Sequence, residues 1–257
     1  SQAGNNVTVD GGKDVSVTTT GSAATGLITV GATTAAAGTV TISNTSAATG
    51  GVTMGAIAAT GGTTISVTEA GGNAVATTDT MGAVTVTGDA STTTVSVVQD
   101  DAATAAAAVK GIVNGAVTVN DANRASATAA GTITDVTLDS FAAATVNSGA
   151  LTTLTLSGTG TSVDADTLGA LTTAANSTLA LNTSGLTTTG AVVIDADITT
   201  LNLTSSLDAS SSTTSTSTIA DLDAVGVTTL NLSGAEALTI TDLMTTSTAV
   251  TSVVSTN

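Results

Sequence analysis

Val40-Thr41-Ile42, Ile65-Ser66-Val67, Val84-Thr85-Val86 and Val95-Ser96-Val97 decide how the whole chain reads. In each, two aliphatic residues flank one that bears a hydroxyl. That is the period-2 pattern of a strand with one face buried and the other wet. Val7-Thr8-Val9, Val15-Ser16-Val17, Ile28-Thr29-Val30, Val52-Thr53-Met54 and Val117-Thr118-Val119 repeat it. Up to residue 97 the triplets follow one another at intervals of 8 to 19 residues, mostly near 12. The gaps hold Gly, Asn, Asp and Ser, which supply positive φ and side-chain-capped turns. Val and Thr are β-branched and favour strands over helices. The chain reads as all-β.

Short strands with regular turns suit either a sandwich or a solenoid. A sandwich core is about 10 Å thick and is usually filled by aromatic residues. Here Phe141 is the one aromatic residue in 257, and the candidate inward residues are Val, Ile, Leu and Ala. The expectation is therefore a parallel β-helix, or β-solenoid, of short strands.

The core residue changes along the chain. Before residue 131 the one leucine is Leu27, whereas seventeen follow from Leu138 to Leu243. A new frame accompanies them: Ile133-Thr-Asp-Val136-Thr-Leu138, Leu151-Thr-Thr-Leu154-Thr-Leu156, Ile198-Thr-Thr-Leu201-Asn-Leu203 and Val227-Thr-Thr-Leu230-Asn-Leu232. Its spacing is too irregular for a leucine-rich repeat array, so it reads as one strand type per coil. Two consecutive solenoid subdomains are expected, a Val/Thr-rich one at 1–125 and a Leu/Thr-rich one at 126–257. Within the first, Asp100-Asp101 before an Ala-rich run ending Val109-Lys110-Gly111 carries helix boundary signals. A short helix over 102–110 competes there with a loose Ala-rich excursion.

Composition excludes much chemistry. There is no Cys, His, Pro, Trp or Tyr, and Lys13, Lys110 and Arg124 face nineteen acidic residues, for a formal charge of −16. Thiol nucleophiles, Ser-His-Asp triads and the usual zinc and haem ligand sets are ruled out. Nucleic acid would meet neither cations nor stacking rings, and an anionic membrane surface would repel the chain. No apolar run approaches the roughly 20 residues of a membrane-spanning helix. A Ser/Lys nucleophile using Lys13 or Lys110 exists on paper only. Glycoside hydrolysis by paired carboxylates lacks the aromatic platforms that sugar clefts use. The chain reads as a non-enzyme.

Three Asp-x-Asp pairs remain: Asp164/Asp166, Asp195/Asp197 and Asp221/Asp223. Residues two apart on a strand share a face, so each pair could aim two carboxylates at one calcium ion, with Thr, Asn and turn carbonyls completing its six to eight oxygens. The competing reading is solvated Asp that bonds its own turn backbone. Asp100/Asp101 is weaker, because adjacent strand residues diverge. Thr-x-Thr steps such as Thr39-Val-Thr41 and Thr153-Leu-Thr155 invite an ice-binding reading, which uneven spacing along the sequence speaks against. The sequons at Asn176, Asn182 and Asn231 read as chance. Phe141 reads as a core plug, a cap or a contact to the next subdomain.

Four runs, Gly4–Gly12 (GNNVTVDGG), Val113–Val119 (VNGAVTV), Leu154–Ser162 (LTLSGTGTS) and Gly185–Ala191 (GLTTTGA), occur in the order in which they resemble the Caulobacter-type bacterial surface-layer (S-layer) proteins. The resemblance covers residues 3 to about 191, and beyond that only style and composition agree. It implies an RTX-related protein, exported by type I secretion, that crystallises around a Gram-negative cell. In that family an N-terminal domain holds lipopolysaccharide and a calcium-rich β-solenoid builds the lattice. This chain resembles an internal piece of that solenoid, with self and the rest of a longer protein as partners. An uncleaved C-terminal export signal is then expected in place of a leader, since Ser1-Gln2-Ala3-Gly4 shows no basic or apolar leader region. The chain departs from the pattern in having no complete GGxGxDx-apolar-x nonapeptide. The nearest run is Gly11-Gly12-Lys13-Asp14-Val15, so no family calcium site transfers to particular residues. The expectation is a self-assembling surface-array protein aided by calcium, with the stalk of a secreted adhesin or biofilm-matrix protein as the alternative.

Overall fold

The structure is a computed structural model and describes residues 4–21, 26–47, 50–71, 78–101, 111–167, 169–171, 175–207, 216–243 and 251–256. The expected helix over 102–110 lies outside the described residues.

Every element among the described residues is a strand or a turn. The strands are β1 (Val7–Val9), β2 (Val15–Gly21), β3 (Ile28–Val30), β4 (Thr39–Ser46), β5 (Ile57–Thr60), β6 (Thr64–Gly71) and β7 (Thr78–Thr80). They continue as β8 (Val84–Thr87), β9 (Thr94–Asp101), β10 (Gly111–Val113), β11 (Val117–Asn120), β12 (Asp135–Asn147), β13 (Thr153–Asp166) and β14 (Thr178–Thr188). The last are β15 (Ala191–Ile194), β16 (Thr200–Ser206), β17 (Thr216–Ala224), β18 (Thr229–Gly234), β19 (Ala237–Leu243) and β20 (Ser252–Thr256).

All named pairings are parallel, and each strand pairs with one a full coil away, as in a β-solenoid. One sheet runs β1–β3–β5–β8–β11–β12–β13–β15–β17–β19. The second runs β2–β4–β6–β9–β12–β13–β14–β16–β18–β20. Ten rungs spaced about 4.8 Å apart give each ladder a length of about 43 Å. A short third ladder pairs β7 with β10, and Thr53 bridges to Thr80 one coil earlier. Both main ladders run unbroken past residue 126, because β12 pairs with β9 in one sheet and with β11 in the other.

The triplet interval near 12 residues is half a coil, since each turn of the solenoid uses one strand in each sheet. Coil length is far from constant: 18 residues separate Val136 from its partner Leu154, and 41 separate Val95 from its partner Val136. Turns absorb the difference, so register is kept while spacing varies. Along the second sheet Ser16, Thr41, Ser66, Ser96, Thr137, Thr155, Asn182, Thr204 and Ser233 fall in one column. The uneven spacing therefore does not prevent ranked hydroxyls, contrary to the expectation from sequence. The flanking columns are interrupted chemically instead, by Asp135 and Ala180 on one side and by Val98 and Asp139 on the other.

Inward residues stack in columns of the same kind. Val15, Val40, Ile65, Val95, Val136, Leu154, Leu181, Leu203 and Leu232 form one such row. The change from valine to leucine thus lies within a single continuous core, which contains Val17, Val97, Leu156 and Leu201 alike. The Ile133, Leu151, Ile198 and Val227 frames each begin one turn before a strand of the second sheet, and all four leading residues are fully buried.

In β12 to β14 the chain passes from the second sheet toward the first without leaving strand conformation. The corner is made by stacked residues in the left-handed region, Ser140 (φ 54°), Gly158 (φ 67°) and Gly185 (φ 57°), beside register shifts after Asp139 and Ser157. Such bulges bend a strand sharply while its ladder resumes beyond them. Phe141 fills the inside of this corner at 2% exposure, the core-plug role. Gly160 packs against its ring, and a Cβ there would come within 2.5 Å of Phe141 Cε2. Gly160→Ala should cost about 1–3 kcal/mol through overpacking, read as a lower denaturation midpoint with an unchanged slope.

Candidate functional site

Asp164 and Asp166 alternate with buried Val163 and Ala165 on β13, so both carboxylates point outward from one strand face. Asp221 and Asp223 do the same on β17, around Leu222. Asp164 and Asp223 both align with Val193 of β15, from opposite sides, so they stand two rungs apart. Asp195 and Asp197 differ: they sit in the turn after β15, not on a strand. Asp195 turns back on its own backbone, accepting from the Ala196 N–H at 2.7 Å on Oδ1, while its carbonyl accepts from Ile198. The shared-face expectation is thus met by two pairs, and the third is an Asp-capped turn.

Asp164, Asp166 and Asp195, with Gly169 and Val193, surround a shallow cavity of about 340 Å³. Asp197 is next to it and accepts from the Thr167 hydroxyl at 2.7 Å. Burial raises the Asp197 pKa, the Thr167 hydrogen bond opposes that, and the charges of Asp195 and Asp166 push it further up. Its Oδ2 is buried without a donor, as is Oδ1 of Asp221. Among the described residues, however, no three acidic side chains converge into a ligand cage. The arrangement is a concentration of negative charge, open to solvent on one side, with the buried Asp197 Oδ2 beside it.

A different set of polar residues lies inside the solenoid, where the sequence reading singled out none. Thr19, Asn44, Glu69 and Gln99 occupy equivalent positions on four successive rungs of the second sheet, all at 7% exposure or less. Thr19 Oγ1 donates to Asn44 Oδ1 at 2.7 Å, and Asn44 Nδ2 donates to Glu69 Oε1 at 3.3 Å. Gln99 Nε2 donates to Glu69 Oε2 at 2.8 Å, and Gln99 Oε1 accepts from the Gly115 N–H at 2.9 Å. Burial pushes the Glu69 pKa up to about 7 against the lowering effect of the Gln99 and Asn44 hydrogen bonds.

Asp121 plays the equivalent part just after β11, in the middle of the other sheet. Fully buried, it accepts from the N–H groups of Asn123, Thr132 and Ile133 at 2.9, 2.7 and 2.8 Å, and from Ser148 Oγ at 3.3 Å. It therefore closes the long excursion between β11 and β12. Near the other end of the rod, Glu236 Oε2 gathers Ser205 Oγ at 3.1 Å, Ser217 Oγ at 2.9 Å and the Gly185 N–H at 3.2 Å. These carboxylates accept several donors each and are structural clamps. The chain was compared with protein-family models and with curated proteins, and no family model and no curated sequence matches it.

Proposed function

We propose that this chain is a structural, non-catalytic segment of a bacterial cell-surface array, an S-layer of a Gram-negative cell, that assembles with other copies and with the rest of a longer RTX-like protein exported by type I secretion. The observation that carries the reading is the acidic face formed by β13 and the turn after β15. On it Asp164, Asp166 and Asp195 crowd one cavity and Asp197 keeps a buried oxygen without a donor. Such a surface repels its own copy until a divalent cation screens or bridges it. Calcium is the hard, oxygen-seeking ion that fits this donor set, and two copies meeting at this face would supply the oxygens that one copy lacks. The four runs that resemble Caulobacter-type surface-layer proteins support the same reading, as does a rod with register kept over ten rungs.

Negative-stain electron microscopy of the purified chain, with millimolar calcium and with chelator, tests it. Ordered sheets or tubes are expected with calcium alone, and Asp164→Asn together with Asp166→Asn should abolish them while leaving the circular dichroism spectrum unchanged. Dispersed single rods in both conditions would overturn autonomous assembly and favour the stalk of a secreted adhesin.

A further inference from the structure

The third ladder ends inside the molecule. Thr53, Thr80 and Val113 stand on three successive coils, and β10 pairs with β7 but with no strand on its other side among the described residues. The cause is the corner at Ser140: in β12 to β14 the chain passes between the two main sheets by a bend, so these coils have no third strand to offer. The register Val117↔Ala144 carries back to the hydrogen bond from the Ala142 N–H to the Gly115 carbonyl, and beyond it Ser140 turns away. A groove of about 330 Å³ is left where the next rung would lie. Ile112, Val113 and Asn114 form one wall, and Thr159, Thr161 and Thr187 belong to the other.

The backbone at this step is poised for pairing. Val113 gives its carbonyl to the Met81 N–H at 2.8 Å, so its polar groups face β7. Alternation along a strand turns the N–H and C=O of Ile112 the other way, toward the groove. Asn114 Nδ2 reaches across to Thr159 Oγ1 at 3.2 Å, while its Oδ1 is buried without a donor. No charged side chain lines the groove, although the chain carries a formal charge of −16.

We propose that this groove is a strand-addition site, in which an extended segment of a partner protein, uncharged and made of small and β-branched residues, pairs with Gly111–Val113 and extends the third ladder by one rung. Main-chain hydrogen bonds supply the affinity in such a mode, and side pockets on alternate residues supply the selectivity. Opposite Ile112 and Val113 the groove is walled by Phe141, Ala142, Gly160 and threonines, which leave room for Thr, Val or Ala. A carboxylate in the segment would be repelled by the field of the protein.

The probe is the uncharged peptide Gly-Thr-Val-Thr-Val-Thr-Gly, capped at both ends and labelled with a neutral coumarin, titrated into the full chain and followed by anisotropy. Saturable binding is expected. Ile112→Pro removes the groove-facing N–H without touching a hydrogen bond to β7, and Thr161→Arg fills the opposite wall. Each should weaken binding at least tenfold with an unchanged thermal midpoint. Equal affinity in both variants, or no saturation at millimolar peptide, would overturn the proposal. So would maltohexaose binding in place of the peptide, which would assign the groove to a glycan. A dimer of the free chain that Ile112→Pro dissociates, with no peptide binding, would assign the edge to a second copy instead.

Discussion

Asp121→Ala should destabilise the protein by about 2–4 kcal/mol, because it orphans the buried Ile133 N–H and the half-buried N–H groups of Asn123 and Thr132 at once, while the Ser148 hydroxyl keeps the Ile133 carbonyl as its acceptor. A single missing hydrogen bond is worth far less; the size comes from donors that are left dry. Water has poor access, since Asp121 is fully buried and Gly131, at φ 104°, lies against its carboxylate. The excursion from Asp121 to Ile133 then loses its closure, and with it the seat of Ile133 in the core. Asp121→Asn keeps the volume and one acceptor and should lose roughly half as much. Guanidinium melts measure the total, and amide exchange at Thr132 and Ile133 locates it. Unchanged protection at both amides in the alanine variant would refute the clamp.

Asp121 also marks where the sequence was readable and where it was not. The alternating triplets establish strands, and the absence of aromatics argues for a narrow solenoid interior. Both conclusions match the ladders observed. The same alternation continues two residues past the apolar pairs. Val15-x-Val17-x-Thr19, Val40-x-Ile42-x-Asn44, Ile65-x-Val67-x-Glu69, Val95-x-Val97-x-Gln99 and Val117-x-Val119-x-Asp121 all keep inward parity. A polar residue in phase with two core residues is a signal for a buried polar column at the strand end. The apolar triplets alone do not carry it. Two matters were not accessible to spacing at all. Which triplets share a sheet depends on loops whose lengths differ more than twofold. Which aspartates meet depends on the corner at Ser140 and Gly158, which brings the far half of β13 beside β15. The Asp-x-Asp pairs were visible as pairs, but the turn that takes Asp195 and Asp197 off the strand was not.

Glu69→Gln should make the protein more stable at pH 8 by about 3 kcal/mol and leave it nearly unchanged at pH 4. The Glu69 carboxyl is held at a pKa of about 7 by burial, above the ordinary 4.5. The difference corresponds to about 3 kcal/mol. Between those values the folded chain keeps a proton that the unfolded chain has lost, so stability falls as pH rises from about 4.5 through about 7. Above that window the ionised group stays buried and the full penalty applies. The donors that reach it, Asn44 and Gln99, are neutral amides, and Asp79 of β7 and Asp100 of β9 add no compensating charge. Glutamine fits the same column: its Oε1 accepts from Gln99, and a flipped Asn44 amide turns its oxygen to the new NH₂. Thr19 can then accept in place of donating, since its hydroxyl already lies 3.5 Å from the Ser43 carbonyl. Self-repulsion from the remaining carboxylates also varies with pH, but it is nearly common to both proteins and cancels in their difference. Denaturant midpoints of parent and variant at pH 4, 6 and 8 give that difference directly. It should open between pH 4.5 and 7 and then stay constant. Parallel curves over the whole range would mean that Glu69 ionises as freely inside the solenoid as outside it.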